Sequence, residues 1–247
     1  MGHVKNRTRW GVFTGKMYNS GFFCRQSSRG HRVFFAQKTV ETVDFLPQFC
    51  YTIHKMGAKG VLAIRELSLN VMDVVQNSIT AGSPVTTIAI EEDTADHTMV
   101  IRIIDQGKGM TPEQVEQVTN PFFTTRTTRS VGLGVPFFKM SSEQTGGDFS
   151  IESQAGAGTT VTARYRTDHI DMTPLGDINE TVLLLIISNP VLDFVFRRER
   201  DGRSFALDTR EMREVLGEDV DLSDPDIAMW LREYLAEQEG ALLGAAE

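Results

Sequence analysis

From residue 66 onward the chain alternates between two rhythms. Leu67, Val71, Val74, Val75 and Ile79 recur at helical spacing, which predicts a helix over 66–81 with Gly82 as its stop. Residues 85–90 and 99–104 alternate apolar with polar side chains and are predicted strands, joined as a hairpin by the acidic run 91–96. Thr111-Pro112-Glu113-Gln114 has the form of a helix start, with Thr as N-cap, Pro at the first position and Gln three residues after the cap. Residues 119–131 are polar and aromatic without a period. Helical spacing resumes over 132–144 and stops at Gly146-Gly147; short strands at 148–153 and 159–166 then flank the turn 154–158. Beyond residue 168 the pattern predicts an apolar helix over 177–188 and a hairpin over 193–207 around Asp201-Gly202. An amphipathic helix over 223–239 follows, with Ile227, Trp230, Leu231, Tyr234 and Leu235 on its apolar stripe. That stripe is read as packing on the core in preference to a docking element, since an exposed stripe of its size is a liability.

Residues 1–60 show neither rhythm. Charge sets them apart further: ten Lys and Arg stand against two acids, net +8, while 61–167 carry −4 and 168–247 carry −12. Three segments of different character follow from this: a basic stretch 1–60, a central domain 61–167 and an acidic extension 168–247. For the first, a disordered basic arm, an organelle transit peptide and translated sequence upstream of Met56 all stand, the first and last being favoured. The overall charge of −8 argues against nucleic acid as the main partner, because phosphate contacts need concentrated Lys and Arg. No apolar run approaches the ~20 residues of a membrane span. Cys24 and Cys50 have neither metal-ligand nor disulfide-framework spacing, and a cytoplasmic location is expected.

Four glycine- or amide-bearing motifs occupy the central domain in order. On the first helix Asp73 and Asn77 are separated by four residues and so share a helix face. After the second strand comes Asp105-Gln106-Gly107-Lys108-Gly109-Met110. The aperiodic stretch contains Asn120-Pro121-Phe122-Phe123-Thr124-Thr125-Arg126, then Arg129 and Gly132-Leu133-Gly134, where Gly132 and Gly134 open a helix. Free N–H groups and the dipole at such a helix start suit a phosphate chain. The last is Gly156-Ala157-Gly158-Thr159-Thr160, opening a strand.

Together these motifs resemble the boxes of a GHKL ATP-binding domain, the Bergerat fold shared by histidine kinases, type II topoisomerases and their relatives. The likeness covers roughly residues 62–167. It implies a two-layer α/β sandwich with a mixed sheet on one face and helices on the other, here with a small α+β C-terminal extension. It also implies a nucleotide site for ATP and Mg²⁺. Asn77 would coordinate the metal, and Asp73 stands where relatives place the carboxylate general base that orients water, though one methylene shorter than the usual Glu. Asp105 would accept the adenine amine, with Thr159 joining it through its hydroxyl and a water. Gly107, Gly109 and Met110 would line the base; Thr124, Arg126, Arg129, Gly132, Leu133 and Gly134 would form the lid and phosphate site, the arginines acting as charge-assisted donors.

The same resemblance narrows the function. A complete sensor kinase needs a dimerisation hairpin with a phosphoaccepting His, and residues 1–60 have no heptads. Topoisomerase and mismatch-repair relatives add a second catalytic domain, for which 80 acidic residues are a poor fit. Two readings stay open: a regulatory protein, kinase or weak ATPase, that acts in phosphotransfer on a protein partner, and a nucleotide-sensing module that recruits a partner through an ATP-ordered lid with negligible turnover.

Overall fold

The computed structural model describes residues 21–26, 32–37, 66–120, 134–217 and 220–244. Two compact units divide the chain, Met1–Leu62 and Ala63–Glu247. In the first, β1 (Gly21–Gln26) and β2 (Arg32–Gln37) pair antiparallel, with Gly21 opposite Gln37 and Gln26 opposite Arg32. The sequence pattern does not predict this hairpin. Its strands carry consecutive apolar residues, which leave no alternation to read.

The second unit begins with α1 (Leu67–Thr80). Glu66 makes no side-chain cap; the N–H groups of Leu67 and Ser68 instead donate to the carbonyls of Pro174 and Leu175, at 2.9 and 2.8 Å. The helix closes at Ala81, whose N–H returns to Asn77, and Gly82 leaves it at φ +76. β3 (Val85–Asp93) and β4 (Thr98–Asp105) form the expected hairpin. Its turn is shorter than the acidic run suggested, because Glu91 and Glu92 stay in the strand, paired to Arg102 and to Arg198 and Arg200. α2 (Pro112–Val118) starts on a reciprocal capping box between Thr111 and Gln114. α3 (Gly134–Gln144), β5 (Asp148–Gln154) and β6 (Gly158–Arg166) follow, then α4 (Ile178–Ser188). β7 (Asp193–Arg200), β8 (Arg203–Asp208), α5 (Thr209–Leu216) and α6 (Pro225–Leu243) complete the unit. The sequence pattern does not predict α5, a two-turn helix with Asp208 as N-cap.

The six strands order as β5-β6-β4-β3-β7-β8, antiparallel except for β3 and β7, so the sheet is mixed. Alternate strand residues (Ile88 and Ile90, Ile101 and Ile103, Val161 and Ala163, Phe194 and Phe196) turn to one face and are sealed by the helices. Val71, Val74 and Val75 of α1, Phe138 of α3, Val182 and Leu183 of α4, and Leu231 and Leu235 of α6 complete that core, all at 2% exposure or less. Each such side chain contributes about 1.5–3 kcal/mol through burial. This is the two-layer α/β architecture expected.

The segment 168–247, set apart by charge, supplies two of these strands: β7 lies against β3 along eight residue pairs. Arg198 of β7 is 2% exposed and bonds Glu92 of β3 and Glu239 of α6, at 3.3 and 2.9 Å. Trp230 and Tyr234 stack with centroids 5.4 Å apart and pack on the core, which makes the α6 stripe an inner face. Among the described residues no helix is long and apolar enough to cross a membrane.

Candidate functional site

α1 buries its Val and Leu stripe, and this turns Asp73 and Asn77 outward on another face. The start of α3 crosses α1 at that point. A Cβ added to Gly134 would come within 2.7 Å of the Cβ of Asp73 and 3.2 Å of the Val74 nitrogen, so glycine is what allows this approach. Although the Asp73 side chain retains solvent contact, the crowding strips part of its water, and this desolvation raises its carboxyl above the ordinary value of 3.8. The side-chain amide of Asn77 has no hydrogen-bond partner among the described residues. Helix α3 presents the N–H groups of its first turn here, except at Pro136, which has none.

One residue past Asn77, Ser78 faces the sheet, and its hydroxyl donates to Oδ2 of Asp105 at 2.9 Å. The other oxygen, Oδ1, accepts the N–H of Gly107 at 2.9 Å. Asp105 ends β4 at 8% exposure, and its register partner on β6 is Thr159. Alternation puts both side chains on the helix-facing side of the sheet, at its rim. The two residues assigned to the adenine by resemblance are thus neighbours across one rung of the sheet.

The loop leaving Asp105 is held at both sides. Toward α1, the N–H of Lys108 donates to the Ala81 carbonyl at 3.0 Å, and Ser83 Oγ accepts the N–H of Gln106 at 2.9 Å. Toward the sheet, Gly109 stands at φ +63 with the Gln154 carbonyl only 1.9 Å from where a Cβ would sit. Any side chain would push the loop off the β5–β6 turn. Met110 donates its N–H to Ser153 Oγ at 2.9 Å, and the N–H of Gly156 reaches the Lys108 carbonyl at 2.7 Å.

Asp73, Asn77, Asp105, Gly107, Gly109, Met110, Gly134 and Thr159 are therefore gathered along one side of α1, although they lie on four separate stretches of chain. Thr124, Arg126, Arg129, Gly132 and Leu133 lie outside the described residues. Sequence reading did not single out Ser78, Ser83 and Ser153, whose hydroxyls join these stretches. Their partners stand 27, 23 and 43 positions away, and only the neighbouring motifs marked them. Chemically, the rung of Asp105 and Thr159 offers acceptors that suit an exocyclic amine. The other set offers oxygen ligands on α1 and helix N–H groups that suit phosphate.

Residues 62–169 match the family of histidine kinase-, DNA gyrase B-, and HSP90-like ATPases. The chain is 32% identical over 92 residues to sensor histidine kinase ZraS of Salmonella typhimurium, which covers 37% of this chain and 20% of that protein. It is 34% identical over 90 residues to sporulation kinase C of Bacillus subtilis, covering 36% and 20%. To sensor protein SrrB of Staphylococcus aureus it is 32% identical over 93 residues, covering 36% and 16%. The chain thus spans a fifth or less of the length of these curated relatives. Among solved structures, the MutL ATPase domain of Aquifex aeolicus complexed with ADP aligns with a TM-score of 0.37 at 19% identity, covering 62% of this chain and 70% of that one.

Proposed function

We propose, from the premise that residues 62–169 form a histidine kinase-, DNA gyrase B- and HSP90-like ATPase domain, that this chain is an ATP-binding regulatory protein that transfers the γ-phosphoryl group of ATP to a side chain of a partner protein. One observation carries the reading: α1 is in contact with both sets of residues. Through Ser78 it fixes Asp105, the base end; one residue earlier it presents Asn77, and a further turn back Asp73, beside the start of α3.

The Asn77 amide has no competing partner among the described residues, and its oxygen is a hard donor that fits Mg²⁺. Bound there, the ion supplies charge neutralisation for the phosphates. The chain's own groups do the rest. Asp105 and Thr159 orient the base, Gly134 lets the α3 N–H groups approach the phosphate chain, and Asp73 receives the proton of the incoming nucleophile. The bond between the γ-phosphorus and the β,γ-bridging oxygen breaks as the bond to the acceptor oxygen or nitrogen forms, and ADP leaves. The raised pKa of Asp73 makes it a better proton acceptor than an ordinary aspartate.

The test is incubation with γ-labelled ATP and Mg²⁺, with and without a lysate of the source cells, following label on protein and free phosphate. Label on a lysate protein that disappears with Asn77→Ala is the expected result. Tight ATP binding with neither transfer nor phosphate release would overturn the transfer step and leave a nucleotide-sensing module.

A further inference from the structure

The hydroxyl of Ser153, on β5, is hydrogen-bonded three ways. It donates to the Gly158 carbonyl at 2.9 Å, accepts the N–H of Met110 at 2.9 Å, and lies 2.9 Å from Oγ1 of Thr159. A serine hydroxyl has one proton and two lone pairs. Its proton is committed to Gly158 and one lone pair to Met110, so the remaining contact requires Thr159 to be the donor. The single proton of Thr159 then points back at Ser153, and only lone pairs are left to face the cleft.

The neighbouring group is constrained to the same polarity. Asp105 Oδ2 already holds the proton of Ser78, Oδ1 holds the N–H of Gly107, and an ionised carboxylate has acceptor capacity only. The rim between Asp105 and Thr159 therefore presents acceptors alone. We infer that Ser153 is a specificity-determining residue: by fixing the hydroxyl of Thr159 as an acceptor, it makes the site select a purine with a 6-amino group over one with a 6-carbonyl. This rests on the reading of Asp105 and Thr159 as the base end of the nucleotide site. A 6-amino group brings protons to that rim, directly or through a water, whereas a 6-carbonyl would meet lone pairs with lone pairs. Without Ser153 the Thr159 hydroxyl is free to rotate and donate, and the rim no longer discriminates at that position.

Inosine triphosphate is the probe, since it replaces the 6-amino group of ATP by a carbonyl without adding a 2-amino group. The affinities of the full chain for ATP and for inosine triphosphate are measured by calorimetric titration for wild type, Ser153→Ala, Ser153→Thr, Thr159→Val and the Ser153→Ala/Thr159→Val double variant. The ratio of the two affinities is expected to favour ATP in wild type, to fall about tenfold in Ser153→Ala, and to be restored by Ser153→Thr, which keeps the hydroxyl. In the Thr159→Val background Ser153→Ala should leave the ratio where it was, because Ser153 acts only through Thr159. A purely structural role would weaken both nucleotides together and leave the ratio unchanged; that result, or an equal fall in the Thr159→Val background, overturns the inference while ATP binding itself stands. A wild-type chain that binds neither nucleotide overturns the reading of the base site, and this inference with it.

Discussion

At Asp105 the site and the fold depend on the same atoms. The carboxylate is 8% exposed and is held by Ser78 on one oxygen and Gly107 on the other. Ser78→Ala removes a buried donor and leaves Oδ2 without its partner, so we expect a stability loss of about 1–2 kcal/mol in denaturant melts. Asp73 shows the opposite balance between stability and chemistry. Burial raises its carboxyl above the ordinary 3.8, so the folded chain holds that proton more tightly than the unfolded chain. The stabilising contribution is therefore present below 3.8 and is lost as pH rises through the raised value, and an ionised Asp73 costs stability at neutral pH. Asp73→Asn is expected to melt higher than wild type at neutral pH, with the gap closing as pH falls toward 3.8, and to lower turnover while ATP affinity stays nearly intact. A variant that melts lower at neutral pH, or turns over at the wild-type rate, removes this account of Asp73.

The elements around the cleft meet along seams with no room for added atoms. At Gly109 both the positive φ and the Gln154 carbonyl oppose a side chain, so Gly109→Ala should cost roughly 1–3 kcal/mol. It should weaken nucleotide binding as well, since the loop it displaces begins at Asp105. The elements themselves were legible in the sequence wherever one face is buried and the other wet. The valines of α1, the alternation of β3 and β4, and the capping box of Thr111 and Gln114 give local signals. Other features of this unit were not legible. α5 has only two turns, too few for a period to emerge. α6 runs on to Leu243 past Gly240, because helical packing against α4 overrides the low propensity of one glycine. The bonds of Ser78 and Ser153 join residues distant in sequence, and spacing carries no information on such contacts. The glycine motifs around Asp105 and Gly158 mark strand ends and loops; which hydroxyl faces which carboxylate came only with the tertiary structure.

On the scale of the molecule, the acidic segment 168–247 and the central segment 61–167 contribute strands to one sheet. β7 covers the flank of β3 that would otherwise be an open edge, α4 and α6 close the core beneath, and buried Arg198 ties β3, β7 and α6 together. Charge composition could not reveal this, since a parallel strand pair joining residues about a hundred positions apart leaves no local trace. Arg198→Ala would leave Glu239, 20% exposed, without its partner and Glu92, 14% exposed, with Arg200 alone, and is expected to cost about 3 kcal/mol. Residues 63–244 should unfold in a single calorimetric transition, and a fragment ending at residue 167 should show none; two separable transitions would contradict a shared core. The central claim is that α1 and the rims of the sheet hold ATP with Mg²⁺. The most direct measurement is calorimetric titration of ATP, with and without Mg²⁺, into wild type, Asn77→Ala and Asp105→Asn. The account predicts saturable one-site binding that is weakened at least about tenfold by Asp105→Asn, and whose Mg²⁺ dependence is abolished by Asn77→Ala. Binding unchanged in both variants would contradict it.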